Sequence, residues 1–256
     1  MAKIRKTVTA GPLTVEVVYP AISARDGLGV RAGKKKMQSE AQARMNLIYD
    51  YQRLELLIAA NFGVKDIFAT LTYDDDHLPK SRKQAAARIK YFIAKLRSAR
   101  RKRGYETKYI YNIEHKHESC DGRYHHHILL NSTGDDLEEL RRLWGQGMVE
   151  FIQIRLDRER NFETLARYFC KEQRDKVGDR LWSVSRNLKK PEKDCRRVPN
   201  DTPLTPPPGV TVLFDTGDVI TTYGHYRYIK YLGCLEPPRR KKKTSARRRR
   251  QREHII

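Results

Sequence analysis

The stretch Tyr124-His125-His126-His127-Ile128-Leu129-Leu130 constrains the fold more than any other part of the chain. Read as a β-strand, it sends successive side chains to opposite faces of a sheet. His126, Ile128 and Leu130 then share one face, and His125 and His127 the other. A slip of one residue would present Tyr124 and His126 instead. The first register is favoured, because it gathers His126 with two aliphatic side chains on the face that helices would cover. Such a strand needs partners, and residues 66–73, 108–114 and 148–154 carry strand-like patterning.

Between the strands lie helical periods. Residues 38–61 place Met45, Ile48, Tyr51, Leu54 and Ile58 near helical spacing. A second helix starts at Ser81 as N-cap, buries Ile89, Phe92, Ile93 and Leu96, and stops at Gly104. Residues 135–144 and 161–176 read as two more, the last capped by Asn161. The order strand, helix, strand, strand, helix, strand, helix predicts an α+β fold, with a mainly antiparallel central sheet and helices packed on one face. The expected organisation is an N-terminal extension and helix (1–62), a core (63–178), a C-terminal extension (179–236) and a basic disordered tail (237–256). The N-terminal extension holds a strand at 13–18 and a loop rich in Gly and Lys at 27–36. A proline-rich linker at 205–209 precedes an expected hairpin, 210–214 with 219–223, turning on Asp215-Thr216-Gly217-Asp218.

Charge narrows the partners. Against 31 Asp and Glu stand 53 Lys and Arg, for a net charge of +22. The tail from Arg239 to Arg252 holds part of this excess, but the rest of the chain is basic too. A surplus of this size calls for a polyanion, and nucleic acid is the common one. Arg97, Arg100, Arg101 and Arg103, on the exposed side of the second helix, are candidate phosphate contacts. Tyr223, Tyr226, Tyr228 and Tyr231 could stack bases, although strand packing explains them better. No apolar run approaches the roughly 20 residues a membrane helix needs, and the charged N-terminus leads into no apolar leader. Four scattered cysteines without a CxxC pair fit a reducing compartment, so a cytoplasmic location is expected.

Chemistry concentrates at two places. His125 and His127 can meet one metal ion from a single strand face, and Glu114 on the preceding strand can reach the same ion. Two imidazoles and a carboxylate suit Mn²⁺ and tolerate Mg²⁺, leaving positions open for a substrate oxygen. Structural zinc through His115, His117, Cys120, His125 and His127 is the rival, but it has one cysteine and matches no common zinc spacing. The second place is Tyr168-Phe169-Cys170-Lys171. Helical spacing puts Tyr168 and Lys171 on one face. A phenol titrates near 10 and is a poor nucleophile at neutral pH. A metal drawing charge from a phosphate would make its attack feasible, with Lys171 orienting the phosphate or assisting the leaving oxygen.

Together these features resemble the HUH endonuclease superfamily, specifically the single-tyrosine initiators of rolling-circle replication. Phe68-Ala69-Thr70-Leu71-Thr72-Tyr73 is similar to its first motif, His125-His126-His127 to its second and Tyr168-Phe169-Cys170-Lys171 to its third. The resemblance spans residues 66–176 and extends to Ser185-Arg186-Asn187-Leu188-Lys189-Lys190-Pro191, similar to a stretch of phage-type replication proteins. It implies DNA contacts from Thr70, Thr72, Arg186 and Lys189, an acidic third metal ligand best matched by Glu114, and Tyr168 as the nucleophile that stays joined to the 5′ end. One departure is His126, where the family carries a hydrophobic residue between the ligands. Conjugative relaxases place the tyrosine before the histidines; small transposases share the present order but are shorter. The expected partners are single-stranded origin DNA and, since no phosphate-binding GxxxxGK[ST] loop occurs, a host helicase, with a host polymerase extending the 3′ end. The alternative is a nucleic-acid-binding protein without catalysis.

Overall fold

The computed structural model describes residues 3–21, 40–115, 122–171, 181–221 and 224–233. The Gly- and Lys-rich loop, His117, Cys120, Tyr223, the basic tail and the predicted helix beyond Lys171 lie outside them. In chain order the elements are β1 (Lys3–Ala10), β2 (Leu13–Pro20), α1 (Glu40–Ala59), β3 (Ile67–Leu71), α2 (Arg82–Lys102), β4 (Tyr109–Glu114) and β5 (His125–Leu130). Then follow α3 (Asp136–Trp144), β6 (Val149–Gln153), α4 (Glu163–Phe169), β7 (Ser183–Val184), β8 (Glu192–Val198), β9 (Thr211–Asp215), β10 (Val219–Thr221) and β11 (Gly224–Leu232).

The fold is α+β with antiparallel sheets, as the sequence pattern predicts. The central sheet runs β6-β3-β5-β4-β7, so the histidine strand β5 lies between β3 and β4. Its register puts Thr70 and Asn112 directly beside His127, and Glu114 beside His125. Ala69, Leu71, Ile128 and Leu130 pack against Ile89, Phe92 and Leu96 of α2 and Leu140 and Trp144 of α3. The Ser81 hydroxyl caps α2 by accepting from the Gln84 amide. The opposite face meets α4 and α1.

That opposite side is built differently. Strands from both ends of the chain form a second sheet, β10-β11-β2-β1-β8, with β9 also paired to β11. One apolar cluster joins Ala10 and Leu13 of this sheet to Leu54 and Ile58 of α1, Phe169 of α4, and Ile110 and Leu129 of the central sheet. Gly11 makes the approach possible: at φ +58°, a Cβ there would stand 2.5 Å from the Ala59 carbonyl oxygen.

Several expectations change. β9 and β10 do not pair with each other; each pairs with β11. The reason is length, since β11 extends far enough to hold β10 on its first residues and β9 on its last. α1 buries Tyr51, Leu54 and Ile58, but Met45 is exposed. α4 ends at Phe169 rather than continuing to residue 176, and the Cys170 amide closes it onto the Ala166 and Arg167 carbonyls. Tyr231 is buried and donates its hydroxyl to Glu16, so it packs and is not available for base stacking.

Candidate active site

His127 is the hub. It is buried on β5, with Phe68 of β3 stacked on its ring at 5.4 Å. Thr70 Oγ1 lies 3.1 Å from its Nδ1, so one ring nitrogen is held by a hydroxyl and the other, Nε2, is turned into the site. There Nε2 is 2.5 Å from Glu114 Oε2 and 3.2 Å from the Tyr168 hydroxyl. Lys171 Nζ donates to the other Glu114 oxygen at 2.7 Å and stands 4.0 Å from the centre of the Tyr168 ring. The helix stops before Lys171, yet the final turn keeps lysine and tyrosine together: the Lys171 amide donates to the Tyr168 carbonyl.

The sheet and the helix are fastened to one another. Asn112 donates from Nδ2 to the Phe169 carbonyl, tying the end of α4 to β4. At the other end Asn161 Oδ1 accepts from the Glu163 amide. Glu163 pairs with the buried Lys230 of β11, which also contacts Glu55 of α1. Arg167 bonds the Tyr51 hydroxyl and lies over that ring. The short helix carrying Tyr168 is thus braced by both sheets and by α1.

Electrostatics suit a concentrated anionic and cationic pair. Burial pushes the Glu114 carboxyl up, but hydrogen bonds from His127 and Lys171 outweigh it and hold it down at about 2. Burial pulls the Lys171 ammonium down, and its bonds to Glu114 and Tyr168 more than reverse this. His125 is pushed below the usual imidazole range, by burial first and by the charge of His127 next.

The structure therefore brings together Glu114, His127, Tyr168 and Lys171, with His125 on the same strand face. Among the described residues, no three His, Cys, Asp or Glu side chains stand in metal-holding geometry. Thr70 serves His127, and the Thr72 hydroxyl donates to the Met148 carbonyl. The arginine assignments need correction. α2 packs on the opposite face of the sheet, so Arg97, Arg101 and Arg103 stand behind the site. Arg100 is fully buried and bonds Asp136, Glu139 and the Asn131 carbonyl, because it continues the apolar stripe one turn after Leu96. Arg103 pairs with Glu139. Arg186 and Lys189 are exposed on the segment that Asn61, Thr107 and Tyr109 pin to the core. Sequence reasoning misses Asn112 and the ring of Phe68 as parts of the site; their only signal is strand alternation, which puts both on the face of His127.

Residues 66–173 match the family model for replication-associated protein ORF2 and its relatives. The matched stretch contains every residue that meets at His127, and it supports a replication-initiator family and a DNA partner. Comparisons with curated proteins and with solved structures gave no significant match. Among the described residues, no helix is long and apolar enough to cross a membrane.

Proposed function

We propose that this chain is a rolling-circle replication initiator of HUH type that nicks single-stranded origin DNA. The observation that carries this reading is the meeting of the Tyr168 hydroxyl with His127 Nε2, itself bonded to Glu114, inside the segment matched to replication-associated proteins. The phenolic oxygen attacks the scissile phosphorus, forming a phosphotyrosine bond as the bond to the 3′ oxygen breaks. The proton lost by the phenol is balanced by the one the departing 3′ oxygen takes up. Lys171, kept protonated by Glu114, favours the phenolate beside it. The free 3′ hydroxyl then primes a host polymerase, a partner helicase unwinds the duplex, and the reverse attack rejoins the ends.

The donor set fits a divalent ion, Mn²⁺ or Mg²⁺, held by His125, His127 and Glu114. His127 has its Nδ1 anchored by Thr70, the arrangement that orients a ligating imidazole, and Glu114 is held ionised. When bound, the ion supplies positive charge that polarises the scissile phosphate. Tyr168 is 37% exposed, so a polymer strand can reach it from solvent.

The test is incubation of the protein with a labelled single-stranded origin oligonucleotide and Mn²⁺, followed by denaturing electrophoresis. Wild type should give a covalent band and Tyr168→Phe none; equal bands from both would remove Tyr168 from the mechanism.

A further inference from the structure

Next to Tyr168 lies a pocket of about 320 Å³ whose walls are Phe68, Ile152, Ile154 and Leu165, with Tyr168 itself on one side and Asn161 lining it as well. Phe68 is shared: the ring that stacks on His127 also meets Tyr168 edge-on at 5.8 Å. Any strand whose phosphate reached the Tyr168 hydroxyl would therefore hold a neighbouring nucleotide at this opening. Apolar side chains are unusually open here for a solvated surface: Ile152 is 56% exposed and Leu156 38%.

Asn161 gives the pocket a polar point. The residue is 2% exposed, and its Nδ2 is buried without a hydrogen-bond partner among the described residues. The orientation of the amide is fixed, because Oδ1 accepts from the Glu163 amide at 2.9 Å, and a flipped amide would oppose two donors. The other polar wall, Asp157, spends Oδ1 on the amides of Glu159 and Asn161. Buried amides are ordinarily satisfied, so an orphan donor facing a binding pocket is a ligand-recognition signal. Arg155, exposed on the same wall, adds positive charge where a phosphate would follow.

We propose that this pocket is a nucleobase subsite, selecting the base that adjoins the scissile phosphate. Apolar walls with a single donor fit a flat ring that turns a carbonyl oxygen toward Asn161 Nδ2. Thymine, with its carbonyls and apolar methyl, matches more closely than the amino-bearing bases. The proposal rests on the nicking function above, since it places the strand at Tyr168.

The experiment compares wild type with Asn161→Asp and Ile152→Glu on a randomised single-stranded DNA library, read in two ways. One pool is the DNA retained in chelator, where nothing is cut; the other is the DNA joined covalently in Mn²⁺. Asn161→Asp keeps the oxygen that caps Glu163 and replaces only the donor, while Ile152→Glu alters the exposed wall and spares the core. Wild type should enrich one base, thymine, at a single position by about tenfold. Both variants should lose that enrichment and keep the others. Covalent product with no such position, or with enrichment unchanged in both variants, overturns the subsite and leaves the nicking function standing. Enrichment in the retained pool that both variants erase, without covalent product, supports the subsite and removes the nicking function. No preference in either pool overturns the subsite outright.

Discussion

On the face covered by α2 and α3, His126 is fully buried against Trp144 and accepts a hydrogen bond from the Tyr73 hydroxyl at 2.7 Å. Burial drives its imidazole down to about 3 and keeps the Tyr73 phenol protonated, so this bond is a neutral fixture of the core. One residue on, His127 is 4% exposed yet faces Glu114, Thr70 and Tyr168. The two side chains are equally hidden from solvent, and burial alone does not distinguish them. What separates them is the company each face provides: aromatic rings on one side, and on the other a carboxylate, an ammonium and a phenol. A strand's alternation is enough to make one histidine structural and its neighbour chemical.

The largest expected effects break this comparison directly. His127→Ala should lower covalent adduct formation by about a thousandfold or more, because it removes the centre that meets both Glu114 and Tyr168. Its folding, followed by circular dichroism, should survive. A variant with near-normal adduct yield would make the two histidines equivalent after all. Arg100→Ala, behind the sheet, should do the reverse. It strands the buried Asp136 and Glu139 and should cost about 3–5 kcal/mol in denaturant unfolding. DNA affinity per folded molecule should be unchanged; a large loss of affinity would restore Arg100 as a phosphate contact.

His126→Ala follows at about 2–4 kcal/mol, from the cavity beside Trp144 and the lost partner of Tyr73. Adduct yield per folded molecule should be retained. Smallest is a pH effect at the brace behind the site. Burial, and then the charge of Glu163, lift Glu55 to about 7 against the opposing pull of Lys230. With its value raised in the fold, Glu55 favours folding in its neutral form. That contribution is whole below its ordinary 4.5 and is lost as pH rises through about 7. Glu55→Gln keeps the neutral form at every pH, so its stability relative to wild type should rise by about 1–3 kcal/mol between about pH 5 and pH 8. A difference independent of pH would mean that Glu55 is ionised throughout.

Much of the central sheet was legible in the sequence, for a physical reason. β3 and β5 alternate strictly, and each has one face buried, so a register slip would expose aliphatic side chains. The pairing of His127 with Glu114 and Tyr168 follows from the same alternation plus one turn of helix. Lys171 lies beside Tyr168 even though α4 ends earlier than its periodicity suggests, because the closing turn preserves the neighbourhood. The second sheet was not legible. Its strands come from opposite ends of the chain, and local pattern carries no information about pairing across that distance. β1 also begins with charged residues, which hid its alternation. Arg100 was misplaced because a run of arginines looks uniformly solvated, although the helical period from Leu96 places Arg100 inward and acidic partners await it on α3. His125 shares the face of His127 as expected, while the described geometry joins only His127 directly to Glu114.

The central claim is that Tyr168 becomes covalently joined to DNA at the site organised by His127. Peptide mass mapping of the protein after reaction with a single-stranded origin library in Mn²⁺ addresses it most directly. A nucleotide-bearing peptide containing Tyr168, in wild type and absent from His127→Ala, is the predicted result. Attachment at another tyrosine, or the same yield without His127, would contradict it.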